Sequence, residues 1–162
     1  MFEKDIRRQC KQIFQNIDIL FSEFTEKEFD LIKGGFLVWK QFYHLVHSLD
    51  KNFCDPSNYV EPKFHKKNLD IVYLNEDHLS KKQIYDYYIE VKNRVERYLD
   101  DIDDNELSKK IEYKEMELSK MELILAQLRH IFYHIGYMHC FLKIERGETP
   151  EYIGLYKVKI EK

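Results

Sequence analysis

Two histidines four positions apart, His130 and His134, lie within Leu128-Arg129-His130-Ile131-Phe132-Tyr133-His134-Ile135-Gly136-Tyr137, part of the longest apolar-rich segment of the chain. On a helix each residue advances by about 100°, so the two imidazoles stand roughly 40° apart on one face, within reach of a single metal ion. His139 falls about 180° from His130, on the other side. Leu123, Gln127, Tyr137, Phe141 and Ile144 continue the His130 face, which reads as a stripe pointing into a helical core. Two imidazoles in such a stripe cost free energy unless each finds a partner, and a shared cation is an efficient one. A three-histidine centre needs its third ligand from elsewhere in the chain.

The helix that carries this pair is expected to start at Ser119-Lys120-Met121-Glu122, a capping box with Leu118 and Leu123 as its hydrophobic staple. It should stop near Arg146, before Gly147. Ile6, Cys10, Ile13, Phe14, Ile17 and Phe21 recur at helical spacing over residues 2 to 21 and define a first helix. A second capping box, Thr25-Glu26-Lys27-Glu28, with Phe24 and Phe29 beside it, predicts a short helix that the pair Gly34-Gly35 then breaks. From about Gly35 to Asp50 the pattern is helical again, with Trp39, Phe42, Leu45, Val46 and Leu49 on one apolar face. This helix carries His44 and His47. His44 shares a mostly polar strip with Leu37, Lys40, Gln41 and Ser48, and on that pattern alone both histidines face water.

Residues 51 to 79 hold Pro56, Pro62 and four asparagines without a sustained period. Phe53, Tyr59, Phe64 and Tyr73 should pack this connection against the helices and wall a pocket, with His65 and His78 at the surface. Ser80-Lys81-Lys82-Gln83, stapled by Leu79 and Ile84, opens a further helix through Tyr88, Val91, Val95 and Leu99. The acidic run Asp100-Asp101-Ile102-Asp103-Asp104 lacks the Gly and the closing Glu of a calcium loop and reads as a solvated turn. Residues 105 to 118 fit no single pattern. The expected fold is all-α: one domain over residues 1–162, a four-helix bundle with a long crossover between its second and third main helices. The last helix is also apolar on its other side, through Leu125, Leu128 and Phe132 beside His139, which predicts a homodimer through that face.

The bulk composition agrees with a helical domain and excludes several functions. Hydrophobic residues make up 44% of the 162, too many for disorder, and only five Gly and three Pro interrupt the chain. A net charge of −3, with basic residues scattered among acids, gives no electrostatic footprint for nucleic acid. The N-terminus turns polar at once and no run is long enough to cross a bilayer, so a cytoplasmic protein is expected. Cys10, Cys54 and Cys140 are odd in number and far apart, which indicates free thiols instead of a disulfide framework or a zinc ribbon.

Two stretches together resemble the DinB-like superfamily, four-helix proteins described as metal-dependent hydrolases or thiol S-transferases. They are Trp39-Lys40-Gln41-Phe42-Tyr43-His44-Leu45-Val46-His47-Ser48-Leu49-Asp50 and Leu128-Arg129-His130-Ile131-Phe132-Tyr133-His134-Ile135-Gly136. The second is similar to that family's motif of His, three residues, His, any residue, Gly. The resemblance implies metal ligands at His44, His130 and His134, against the water-facing reading of His44, with His47 as the alternative one turn on. Where the family usually has Gln after the motif's Gly, this chain has Tyr137.

Three neutral histidines on Zn²⁺ or Ni²⁺ leave a fourth position for water or a thiolate. The resemblance therefore implies hydrolysis of a small molecule or transfer of a low-molecular-weight thiol. No spacing singles out a general base, although Gln41, Gln127, Tyr133 and Tyr137 are within range of such a site. The alternative is a non-catalytic homodimeric helical protein with a structural or vestigial metal or ligand site.

Overall fold

The helices begin where side chains satisfy their free N–H groups and end where the sequence breaks the period. In the computed structural model, which describes residues 2–54, 56–67, 69 and 77–154, α1 spans Phe2–Glu23 and α2 Glu26–Phe29. Next come α3 (Val38–Asn52), a single 3₁₀ turn at Pro56–Asn58, α4 (Lys81–Asp101), α5 (Asp104–Ser108) and α6 (Lys120–Arg146). All three capping boxes form. Thr25, Ser80 and Ser119 accept from the N–H groups of Glu28, Gln83 and Glu122, whose side chains reach back to the cap backbone. Gly147 ends α6 in the left-handed region at φ 80°, where a residue without Cβ carries no penalty. Among the described residues no helix is long and apolar enough to cross a membrane.

The contacts fix the direction of each helix. Arg7 near the start of α1 donates to the Asp100 and Ile102 carbonyls at the end of α4, and Lys81 at the start of α4 donates to the Phe24 carbonyl, so α1 and α4 are antiparallel. Gln41 pairs with His134 and Ser48 with Gln127, which sets α3 antiparallel to α6. Tyr43 lies against Tyr87, and Asp50 binds Arg94 at 2.8 Å, so α3 and α4 run parallel. Parallel neighbours require a connection that returns along the bundle, and the sequence between α3 and α4 is long enough for one. Phe53 is buried, Phe64 meets the Tyr87 ring edge-on at 5.1 Å and Tyr59 meets His47, so the connection packs on the helices as expected. Tyr73, expected to share in this packing, lies outside the described residues.

One core fills the space between the four long helices. Its densest part is aromatic: Phe42 is fully buried with the rings of Phe21, Phe24 and Phe29 at 4.7, 5.1 and 4.7 Å. Truncation of such a ring to Ala costs about 3–5 kcal/mol.

Two hairpins interrupt the helical pattern, each leading into a main helix. Ile32–Lys33 (β1) pairs with Phe36–Leu37 (β2) ahead of α3, and Lys110–Tyr113 (β3) pairs with Met116–Ser119 (β4) ahead of α6. The stretch that fitted no single pattern is thus α5 followed by the second hairpin. Its N-cap is Asp103 of the acidic run, which accepts from the Glu106 N–H at 2.6 Å. Both hairpins turn through two residues at positive φ, but the residue types differ. Gly34 and Gly35 adopt φ 56° and 82° without strain, whereas Lys114 and Glu115 adopt 47° and 65°. Side chains with Cβ in that region cost about 1 kcal/mol or more each.

The chain after α6 returns along α1. Asn16, fully buried, accepts from the Ile153 N–H at 2.8 Å and donates to the Ile153 carbonyl at 3.0 Å, while Gln12 donates to the Gly154 carbonyl. This tail bears on the α6 face that the sequence assigned to a second copy. Leu128 is buried in the core, and Phe132 and His139 share a groove with Thr149 and Tyr152; Leu125 alone of the four is exposed.

Candidate metal centre

His44 from α3 and His130 and His134 from α6 meet between the two antiparallel helices. His130 Nε2 lies 3.0 Å from His134 Nε2 and 3.3 Å from His44 Nε2. Nitrogens bound tetrahedrally to one ion at about 2.0–2.1 Å stand roughly 3.3 Å from one another, so the three imidazoles have the spacing of a ligand set. The three side chains form a group able to hold a metal ion. His134 is buried, and His44 and His130 are half-buried and line a pocket of about 380 Å³.

The hydrogen bonds behind the rings set which nitrogen carries the proton. Gln41 Oε1, an acceptor, lies 2.9 Å from His134 Nδ1, so that nitrogen carries the hydrogen and Nε2 is left bare. The Ser48 hydroxyl donates to Gln127 Oε1 at 3.2 Å and stands 3.0 Å from His130 Nδ1, which therefore donates to it. Asn52 also donates to Ser48 Oγ, and Tyr113 donates to Asn52 Oδ1 at 2.6 Å, extending the chain of bonds to the second hairpin. The bare Nε2 atoms of His130 and His134 then face each other at 3.0 Å, lone pair to lone pair. Only a proton or a cation relieves that arrangement. Burial, and then the neighbouring imidazoles, push the His134 pKa down to about 3, and burial followed by His44 lowers that of His130. At neutral pH a metal ion, and not a proton, suits the cluster.

The polar strip on α3 accounts for the difference from the pattern-based reading of His44. Lys40, Gln41 and Ser48 are buried, because the strip faces the histidine stripe of α6 instead of water. His47 is buried as well, at 3% exposure, but in a second cluster. Its Nε2 pairs with Glu61 Oε2 at 2.7 Å, and His65 Nε2 lies 3.9 Å from the same oxygen. Lys51 and Tyr59 donate to Glu61 at 2.9 Å each, and Tyr43 OH lies 2.5 Å from His65 Nδ1. His47 thus does not join His130 and His134, and His65, expected at the surface, is half-buried beside it. The His47 and His65 rings are nearly parallel, 3° apart with centroids at 4.6 Å. Burial raises the Glu61 pKa, but hydrogen bonds from His47, Lys51 and Tyr59 outweigh this and hold it at about 2. His47, Glu61 and His65 also have the makeup of a cation group. Their carboxylate, however, already compensates the cluster, and it ties the connection after α3 to the helix.

The remaining candidates fall outside the centre. His78 is exposed and pairs with Asp30 at 2.7 Å; His139 stands beside Tyr152 on the far side of α6. Tyr133 is 70% exposed, with only its edge against His134. Tyr137 packs edge-on against Phe36, and its hydroxyl lies 3.5 Å from where a Cβ on Gly34 would stand, so it braces the first hairpin. Cys10, Cys54 and Cys140 are free, and burial pushes the Cys10 thiol up to about 12, which makes it unreactive at neutral pH. Cys54 is half-buried and Cys140 exposed. Ser48 and Asn52 are the site residues that periodicity missed, although Ser48 shares the strip of His44. No protein-family model matches the chain, and no curated protein matches it, so the site is read from its own chemistry.

Proposed function

We propose that His44, His130 and His134 hold one divalent transition metal, Zn²⁺ or Ni²⁺, and that the protein is a DinB-like metal-dependent enzyme. Its reaction in this reading is hydrolysis of a small molecule or transfer of a low-molecular-weight thiol. One observation carries the proposal: three imidazole Nε2 atoms converge at 3.0 and 3.3 Å while the outer nitrogens of His130 and His134 are engaged by Ser48 and Gln41. Neutral acceptors behind His130 and His134 add no negative charge, so these two ligands leave the charge of a divalent ion undiminished. Such an ion supplies Lewis acidity at the pocket, enough to activate water or a thiol. Gln41 and Ser48 orient the ligands, Gln127 and Asn52 hold Ser48, and the pocket beside His44 and His130 receives the substrate.

Elemental analysis of protein purified without an affinity tag or chelator, alongside His44→Ala and His130→Ala, tests the proposal. About one metal per chain, lost in both variants, supports it. Absence of metal after incubation with Zn²⁺ or Ni²⁺ overturns it.

One observation favours a second reading, a non-catalytic homodimer whose metal is structural. The residues lining the pocket include no carboxylate to serve as a general base. His130→Ala separates the two: metal lost with the fold retained supports a functional site, and loss of the fold supports a structural one. Sedimentation at micromolar concentration tests self-association through the exposed remainder of the α6 face, and a monomer overturns it.

A further inference from the structure

The pocket in front of the histidine centre has a one-sided charge. Besides His44, His130, Ser48 and Gln127, it is lined by His47, Lys51, Asn52, Tyr113 and Lys114, with no acid among the described residues that line it, although the chain as a whole is net negative. Lys51 shares its charge with Glu61 at 2.9 Å. Lys114 has no such partner among the described residues: its ammonium lies 5.0 Å from the Tyr113 ring and makes no ion pair. It thus brings an uncompensated positive charge to the mouth of a site whose inner end suits a metal.

The backbone that holds Lys114 there is strained. The β3–β4 turn places Lys114 and Glu115 at φ 47° and 65°, a two-residue geometry that favours Asn-Gly or Gly-Gly. The β1–β2 turn of the same chain uses Gly34-Gly35 for the same geometry. The position of the strained hairpin is also keyed to the centre. Tyr113 donates to Asn52, Asn52 to Ser48, and Ser48 accepts from the Nδ1 of His130. A costly conformation that sets a cation over a pocket is a feature function can account for and stability cannot.

We infer that the β3–β4 hairpin is an anion clamp: Lys114, with Lys51 beside it, binds a carboxylate or phosphate group of the substrate while another part of that molecule reaches the three-histidine centre. This rests on the metal-centre reading and narrows it to small anionic substrates. An anionic group on the ligand would find ammonium donors on Lys114 and Lys51, and an acid at position 114 would repel it.

The test uses the full chain loaded with Co²⁺, whose visible spectrum reports ligands entering the centre, with metal content measured by elemental analysis. Two probes of equal size are titrated: the monohydroxamate of succinic acid, which carries a carboxylate, and its carboxamide counterpart, which does not. The carboxylate is expected to bind about tenfold more tightly at low ionic strength, an advantage that shrinks with added salt. Lys114→Gly should erase the preference, leave the affinity for the carboxamide unchanged, and raise Tm by about 2–4 °C through relief of the turn. That combination of lost selectivity and gained stability is one a purely structural lysine would not give. Equal affinities in the unaltered protein, a preference that persists in Lys114→Gly, or failure of both probes to bind the cobalt-loaded protein overturns the clamp and leaves the metal centre standing. Failure to take up cobalt, read from the metal content alone, overturns the metal-centre reading and the clamp with it.

Discussion

Two histidine clusters grow from one helix, a single turn apart, and they solve the problem of buried imidazoles in opposite ways. His47 turns to Glu61 and His65, where a carboxylate bonds His47 Nε2 at 2.7 Å and stands 3.9 Å from His65 Nε2. His44 turns to His130 and His134, where the group that could hold an ion is made of imidazoles alone and the Nε2 atoms of His130 and His134 face one another. The first arrangement is complete without a ligand; the second needs one. Histidine count and burial are therefore poor guides to a metal centre, and the identity of the groups behind and between the rings is a better one. A carboxylate between two imidazoles ties a loop down, whereas amide and hydroxyl acceptors behind them leave the lone pairs free for a cation.

The largest expected difference between the clusters lies in metal content. His130→Ala should abolish stoichiometric metal, because it removes the nitrogen that stands between the other two. His47→Ala should leave the metal in place. Metal lost equally in both variants would mean that the clusters act as one site. The groups behind the ligands come next. Gln41→Leu frees the His134 ring, and Ser48→Ala frees that of His130, and each should weaken Zn²⁺ binding by about 10–100-fold in a chelator competition. Unchanged affinity in both would show that packing alone orients the imidazoles.

Glu61→Gln probes the other cluster. It should leave Zn²⁺ affinity unaltered while amide hydrogen exchange in residues 56–67 accelerates, since the carboxylate collects bonds from His47, Lys51 and Tyr59. Because Glu61 is 40% exposed, water screens much of this network, and the loss of global stability in urea should stay at about 1 kcal/mol or less.

How far the sequence disclosed these clusters follows from the physics of each. The i, i+4 pair on α6 and the three capping boxes are local patterns, and they were legible because helix geometry fixes them. The crossover was legible from its missing periodicity. His44 was not legible from periodicity, because Lys40, Gln41 and Ser48 make a strip that looks solvated until α6 covers it. Only the resemblance placed His44 with the pair. Glu61 and His65 escaped because their contacts depend on where a long connection lands, and no local rule governs that. The second hairpin escaped for another reason: Lys114-Glu115 lacks the Asn-Gly or Gly-Gly that announces a two-residue turn. The apolar far side of α6 was legible as buried, yet part of what covers it is the chain's own tail, held by Asn16.

Acid should distinguish the clusters most finely. In the metal-free protein His134 titrates at about 3 against an ordinary 6.5, so between those values the unfolded chain binds a proton that the folded chain refuses. Stability therefore declines as pH falls from about 6.5 towards 3, and bound Zn²⁺ should resist the decline until protons displace it. Glu61 titrates at about 2 against an ordinary 4.5, so its contribution is complete above about 4.5 and disappears as pH falls towards 2. Urea midpoints measured across this range on the metal-free protein, on His134→Asn and on Glu61→Gln should separate the windows. His134→Asn should flatten the part between about 6.5 and 4.5, where Glu61 stays ionised in both states. Glu61→Gln should leave that part unchanged and reduce only the steeper fall below 4.5. A profile insensitive to His134→Asn above pH 4.5 would mean that the folded chain takes up a proton on this histidine as readily as the unfolded chain does. The three nitrogens would then be held together by a shared proton, and the contrast between a cluster that is complete and one that awaits a cation would collapse.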